Sequence, residues 1–301
     1  MNFDGILFFP LTPFDDDGAV NQDVLAEHVA SGVAHGTGGV FTACGTGEIH
    51  ALSAVEHAAV VRRSVEVVDG AVPVVAGAGG SVGTAVEQAR AAREAGADAI
   101  LLLPPYLVTG PQRGLVEYVK AVVAQVEIPV IVYQRGTMVF SPDSAAELAA
   151  LPQVVGFKDG IGDLGLMHQI VLAVRGVRGA DFTFFNGLPT AELTVGAYSG
   201  VGVPLYSSAA FAFVPEVADA FYKAFHAGDP LADRIMAEFY EPLVRLRDRS
   251  PGYAVSLVKA GARLRGVDVG AVRAPFVDLT PTEETELATL IETGLTLVGK
   301  G

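Results

Sequence analysis

An α/β fold of the (β/α)8, or TIM barrel, class with a small C-terminal helical region is what the sequence predicts, on three observations. Short β-branched or aromatic runs alternate with longer Ala-rich stretches of helical period, the pattern of parallel strands joined by crossover helices. The alternation repeats eight times in roughly 225 residues, near the ~250 that such a barrel takes. After Gly228 only helical patterns remain. An open doubly wound sheet would share the strand chemistry; the count of eight and the lack of a dinucleotide loop after the first strand favour closure. The barrel is expected over 1–227 and the helical region over 228–301.

Strands are predicted near 6–9, 39–42, 72–76, 99–103, 130–133, 154–158, 183–186 and 201–205. The runs GILFF, AILLL and PVIVY are apolar on both faces, as strands between a packed lumen and an outer helix layer must be. Helices are predicted near 22–35, 54–68, 84–95, 113–126, 142–150, 164–174, 190–198 and 214–225, then 231–247, 253–264 and 282–298. Ser53 with Glu56 spells a capping box, and Thr280, Pro281 and Glu283 spell another. Ser141 before Pro142 sets an N-cap hydroxyl ahead of a proline at the first helical position.

Hydrophobic residues make up 50% of the 301-residue chain and charged ones 18%, which excludes disordered and fibrous classes. Twenty Lys plus Arg against 34 Asp plus Glu leave a net charge of −14, which repels a phosphate backbone and argues against a nucleic-acid partner. An anionic substrate then needs a local cation working against the global field. The single cysteine, Cys44, has no intrachain disulfide partner, in keeping with a reducing, cytoplasmic setting. The opening Met1-Asn2-Phe3-Asp4-Gly5 lacks a basic leader, and no apolar run approaches the ~20 residues of a membrane span, so neither secretion nor a membrane partner is expected.

In a parallel barrel the chemistry sits at the carboxyl ends of the strands. Of the lysines Lys120, Lys158, Lys223, Lys259 and Lys300, Lys158 alone falls at a predicted strand end, in VVGFKDG. A partly desolvated amine there favours the neutral form that makes an imine with a ketone. The other reading is a solvated lysine paired with Asp159. The preceding strand ends VIVYQRG, placing Tyr133 and Arg135 at the same rim: a phenol that relays protons or a plain rim aromatic, and a carboxylate-holding cation or a surface charge. In CGTGE, Gly45 and Gly47 allow backbone amides to converge on an anion and Thr46 adds a hydroxyl, though a turn without ligand uses the same glycines. Cys44 reads as a small apolar filler and Glu48 as a hydrogen-bond acceptor under the loop. The run GAGGSVG fails the dinucleotide pattern at Val82, Asp15-Asp16-Asp17 reads as a solvated loop, and the six histidines form no HxH or HExxH. Neither a metal nor an organic cofactor is expected.

With Lys158 in GFKDG, Tyr133 in IVYQR, the GTGE turn and the opening PLTPF in place, the chain resembles the dihydrodipicolinate synthase/N-acetylneuraminate lyase superfamily over nearly its whole length. FTACGTGEIHALS, LLLPPYL, VGFKDGIGDLGLM, NGLPTAE, YSSAAFAFVPE and GYAVSLVKAG are similar to the 5-dehydro-4-deoxyglucarate dehydratase branch. The resemblance implies Lys158 as the imine lysine, Tyr133 as the proton relay, and Gly45-Thr46 as the turn holding the keto-acid carboxylate. It also implies that Asn186-Gly187-Leu188 and Ser207-Ser208 line the pocket after the seventh and eighth strands, and that the chain assembles as a homotetramer or homodimer. Gly45-Thr46 stands where the synthase branch has a threonine pair, and Leu107 where it has a second tyrosine, which points away from synthase activity.

The expectation is therefore a cytoplasmic lyase acting on a small anionic keto-diacid, converting 5-dehydro-4-deoxy-D-glucarate to 2,5-dioxopentanoate, carbon dioxide and water. The alternatives are a pyruvate-dependent aldolase or synthase of the same superfamily, and a non-catalytic keto-acid-binding barrel.

Overall fold

The computed structural model describes residues 3–105 and 107–300; Tyr106, inside LLLPPYL, and the outermost positions 1, 2 and 301 of the two expected regions lie outside the described residues. Among the described residues, strands β1 (Leu7–Phe8), β2 (Gly39–Thr42), β3 (Val74–Ala78), β4 (Ala99–Leu102), β5 (Val130–Gln134), β6 (Val154–Asp159), β7 (Thr183–Asn186) and β8 (Leu205–Ser208) follow one another in chain order around a closed barrel. Every residue of β2, β3, β4 and β5 is buried, which is why these strands read as continuous apolar runs rather than as alternations.

The crossover helices are α1 (Gln22–Ala34), α2 (Ala54–Val68), α3 (Val82–Ala95), α4 (Gln112–Val123), α5 (Pro142–Ala149), α6 (Leu164–Arg178), α7 (Val195–Gly200) and α8 (Pro215–Ala227). Their starts obey local chemistry. The Ser53 hydroxyl accepts from Glu56 N while the Glu56 carboxylate accepts from Ser53 N, closing the expected capping box. Ser141 caps α5 with Pro142 behind it, and Thr280 and Glu283 close the second box at α12 (Pro281–Leu297). Between lie α9 (Leu231–Ile235), a π-helical turn (Met236–Tyr240), α10 (Glu241–Arg247) and α11 (Tyr253–Leu264).

The chain divides into two compact units. One is Val74–Ser207, with β3 to β7, α3 to α7 and most of β8. Within it the parallel register sets Tyr133 level with Lys158 and Lys158 level with Phe185, and on the next rung Gln134 level with Asp159 and Asp159 level with Asn186. A register shift between Val130 and Ile131 produces that alignment. The other unit, 3–73 with 208–300, holds β1, β2, α1, α2 and α8 to α12, and packs Phe221 of α8 edge to face on Tyr240 at 5.1 Å.

Several expectations move. The third strand lies at Val74–Ala78 rather than 72–76. The eighth strand lies at Leu205–Ser208 rather than 201–205, because Val201 and Val203 both donate to Tyr198 O and Gly202 takes φ +88°, finishing α7 with a turn. Ser207 and Ser208 are thus the last residues of β8 itself, not of the loop after it. The helix expected over 190–198 is a 3-10 turn, Ala191–Thr194, followed by the short α7. The Asn186 carboxamide draws the Ala191 carbonyl and the Thr194 hydroxyl inward there. The helix expected over 231–247 is helical throughout but carries the π turn in its middle.

Candidate active site

Lys158 and Asp159 end β6, and strand alternation turns their side chains to opposite faces. On one face, Lys158 is only 4% exposed and sets Nζ over the Tyr133 ring, 4.6 Å from its centroid. On the other, the fully buried Asp159 carboxylate accepts from Gln134 Nε2 (2.7 Å), from the Tyr198 hydroxyl, and from the backbone N–H of Ile161 (3.1 Å) and Gly162 (3.3 Å). Four donors thus occupy the carboxylate that the sequence offered as a partner for Lys158. Burial, and then the hydrogen bond to Asp159, push the Tyr198 phenol well above its ordinary range, so it remains the donor.

The Tyr133 hydroxyl stands between two groups. It donates to Gly187 O at 2.8 Å and accepts from Arg135 Nη1 at 2.9 Å. Arg135 is on the exposed turn after β5, where its backbone exchanges hydrogen bonds with Met138, and its guanidinium reaches back to the phenol. Gly187 N donates to Asp159 O at 2.6 Å, and a Cβ at this position would stand 2.5 Å from Lys158 Cε and 2.9 Å from Asp159 O. Only glycine leaves the lysine its place. Lys158, Tyr133, Arg135 and Gly187 therefore form one contact group.

Asn186 lies beside this group, but its carboxamide is spent on its own loop, donating to Ala191 O and Thr194 Oγ1 and accepting from Leu188 N. Ser207 Oγ donates to Asn186 O at 3.3 Å. The side chain of Asn186, to which the resemblance assigns a pocket-lining role, is thus engaged in bonds to its own loop.

The second unit carries Gly45, Thr46 and Ser208. Gly45 is exposed and Thr46 half-buried at the crest of a turn whose ends, Ala43 (φ +48°) and Glu48 (φ +55°), both adopt left-handed backbone. Ser208 is buried, its hydroxyl accepting from Phe211 N. Glu48 is a fully buried acceptor, as expected: Oε1 lies 2.8 Å from the equally buried Lys259 Nζ, and Oε2 accepts from Arg273 N at 2.9 Å. Burial lowers the Lys259 pKa and the Glu48 charge opposes that shift. The Arg273 guanidinium pairs with Glu56, whose pKa it pulls down to about 2.

Sequence reasoning overlooked Lys259, Gln134 and Tyr198. One signal was available: Lys259 sits in the apolar run SLVKAG, all of it buried, where a lysine requires a partner. Among the described residues no group of three or more His, Cys, Asp or Glu could hold a metal ion. No helix among them is long and apolar enough to cross a membrane.

The dihydrodipicolinate synthetase family model matches residues 2–293. A Streptomyces avermitilis protein named "Probable 5-dehydro-4-deoxyglucarate dehydratase 1" is 51% identical over 298 residues, 99% of this chain and 95% of that relative. A Paracidovorax citrulli relative, "Probable 5-dehydro-4-deoxyglucarate dehydratase", is 44% identical over 96% of this chain and 94% of its own length. Among solved structures, dihydrodipicolinate synthase from Oceanobacillus iheyensis superposes with a TM-score of 0.87 at 28% identity, covering 98% of this chain and 97% of that one. The synthase from Aquifex aeolicus gives 0.85 at 27% identity, covering 96% and 97%. With a family match spanning nearly every residue, and close relatives that are matched almost end to end, the chain belongs to the dihydrodipicolinate synthetase family.

Proposed function

We propose that the chain is a Schiff-base hydro-lyase that converts 5-dehydro-4-deoxy-D-glucarate to 2,5-dioxopentanoate, carbon dioxide and water. The observation that carries this reading is the buried Lys158 amine on the face of Tyr133, in a chain whose relatives bear the dehydratase name. Lys158 adds to the C5 carbonyl and water leaves, giving an iminium that acidifies C4. Loss of a C4 proton makes an enamine, which expels the C3 hydroxyl and leaves a conjugated iminium. Loss of C1 as carbon dioxide then sends the C1–C2 electron pair toward the nitrogen and leaves an enol at C2, which becomes the aldehyde. Protonation at carbon and hydrolysis of the imine release the product and free Lys158.

Tyr133 is the proton carrier in this reading. Its oxygen accepts from the Arg135 guanidinium, a cation placed to stabilise negative charge on the phenol oxygen when its proton has been passed on. Arg135 also holds the substrate carboxylate remote from the imine, and Gly45 with Thr46 receives the carboxylate of the keto acid. Gly187, Asn186 through its backbone, Ser207 and Ser208 complete the substrate contacts in this reading. The reaction so written needs no metal and no organic cofactor. A homotetramer or homodimer in the cytoplasm, with the barrel taken as 1–227 and the helical region as 228–301, completes the proposal.

The test is product analysis with purified protein and the diacid. One carbon dioxide per diacid and a C5 semialdehyde are expected. Borohydride added during turnover is expected to inactivate the enzyme and leave covalent mass on the peptide containing Lys158. Stoichiometric pyruvate without carbon dioxide would make the chain an aldolase, and label on another lysine would overturn the imine assignment.

A further inference from the structure

Glu48 and Lys259 form an ion pair with both side chains fully buried, and none of the proposed chemistry uses it. Burying two charges costs several kcal/mol per ion, repaid only when geometry and additional hydrogen bonds are good, so such a pair is weak evidence for stability alone. Here the extra bonds exist, and they tie Glu48 to Lys259 and to the backbone around Ala271 and Arg273. Lys259 Nζ also donates to Ala271 O at 2.8 Å and lies 4.0 Å from the centroid of the Phe14 ring. Arg273 N reaches Glu48 Oε2, and the Arg273 guanidinium covers the same Phe14 ring at 4.0 Å.

Glu48 is the last residue of the turn that begins at Ala43. Non-glycine residues in left-handed backbone stand at both its ends, each a strained conformation that persists only where the surroundings over-determine it. Its carbonyls are fixed from inside: Glu48 N donates to Gly45 O, Ile49 N to Cys44 O, and the buried Thr12 hydroxyl to Gly47 O at 2.7 Å. Gly47 leaves no slack, since a Cβ there would come within 3.2 Å of Pro10 O and 3.3 Å of Ala43 Cα. The crest, Gly45 and Thr46, is the accessible part. A loop whose base is clamped this way while its crest stays open is preorganised to present its outer groups without reorganising on binding.

We infer that Glu48 and Lys259 are positioning residues that lock the Gly45-Thr46 crest in the conformation that receives a substrate carboxylate. The inference rests on the proposed role of that crest. Removing the lock leaves the imine lysine chemically intact but lets the turn relax, so ligands that carry a carboxylate beside the ketone lose affinity and ligands without one do not.

The experiment compares borohydride trapping at Lys158 with pyruvate, a ketone bearing an adjacent carboxylate, and with hydroxyacetone, which has none. The proteins are the full-length chain, Glu48→Gln, and the double variant Glu48→Gln with Lys259→Met, which leaves no unpaired buried charge. The pyruvate concentration for half-maximal trapping is expected to rise at least tenfold in a variant while that for hydroxyacetone stays within twofold. KM for the diacid is expected to rise by a similar factor, with kcat changing less than threefold. Equal loss for both ketones, or no loss for either, would overturn the inference, and so would failure of both variants to fold, which would assign the pair to folding. If the unaltered protein itself fails to prefer pyruvate, the carboxylate-binding role of the crest fails first, a different result from an unaltered preference that survives the substitutions.

Discussion

Arg135 donates through Nη1 to the Tyr133 hydroxyl at 2.9 Å, so the exposed guanidinium after β5 and the buried phenol within it act on one oxygen atom. The same phenol donates to Gly187 O, and its ring lies under Lys158 Nζ. Under the proposed function, a charge change at Arg135 therefore reaches the imine chemistry as well as the substrate. Arg135→Met is expected to raise KM for the diacid at least tenfold through loss of a charge-assisted contact of about 1.5–3 kcal/mol, and to lower kcat as well. Arg135→Lys should recover less than full activity because a point charge cannot reproduce the planar fork. Steady-state kinetics checks both; unchanged constants in Arg135→Met would return the residue to the surface.

Gly187→Ala sets a methyl group where Lys158 Cε and Asp159 O already stand. The lysine must leave its place on Tyr133 or the β6 backbone must shift. Activity is expected to fall by roughly two orders of magnitude, a misplacement effect, while far-ultraviolet circular dichroism keeps the barrel signature. Wild-type turnover in this variant would show that Lys158 is not held where the reaction needs it.

The fully buried Asp159 carboxylate accepts four hydrogen bonds, from the Gln134 carboxamide, the Tyr198 hydroxyl and the backbone N–H groups of Ile161 and Gly162. Asp159→Ala is expected to cost about 3 kcal/mol or more, because buried donors are stranded. Tyr198→Phe removes one donor and is expected to cost about 1–2 kcal/mol. Denaturant titration measures both, and a smaller cost for the aspartate than for the tyrosine would contradict the network.

His28 of α1 is buried edge-on against Phe8 at 5.2 Å, and desolvation lowers its pKa to about 4. The unfolded chain titrates this histidine near pH 6.5, so above that pH neither state is charged and the full stability is present. As the pH falls from about 6.5 to 4, the unfolded chain takes up a proton that the folded one refuses, and about 3 kcal/mol is lost. His28→Leu is expected to flatten the stability profile in that window. Equal slopes for the two proteins, read by urea denaturation at pH 7 and 5.5, would place the histidine in a solvated site.

Much of this architecture follows from local rules. Each capping box needs only residues three apart, and each buried strand needs only a short apolar run, so β2 and β7 were legible to the residue, as was α2. Lys158 was legible because lysines are scarce and one of them ends a strand. The eighth strand was not, since LYSS is half polar and its burial depends on the barrel around it. Neither was the break before α7, which Asn186 imposes from the end of β7.

By itself the sequence determined the eightfold alternation, the capped starts of α2, α5 and α12 and the residue types available at each strand end, because these depend on neighbours within a few positions. Only the tertiary structure decided that Tyr133 stands level with Lys158, through a register shift between Val130 and Ile131, and that Asp159 turns away to Gln134 and Tyr198. It also decided that Lys259, from a helix near the end of the chain, neutralises Glu48 beneath a turn near its beginning. Periodicity carries no record of which buried charge meets which; that follows from strand register and from desolvation, which leaves a charge inside the protein only where folding brings it a partner.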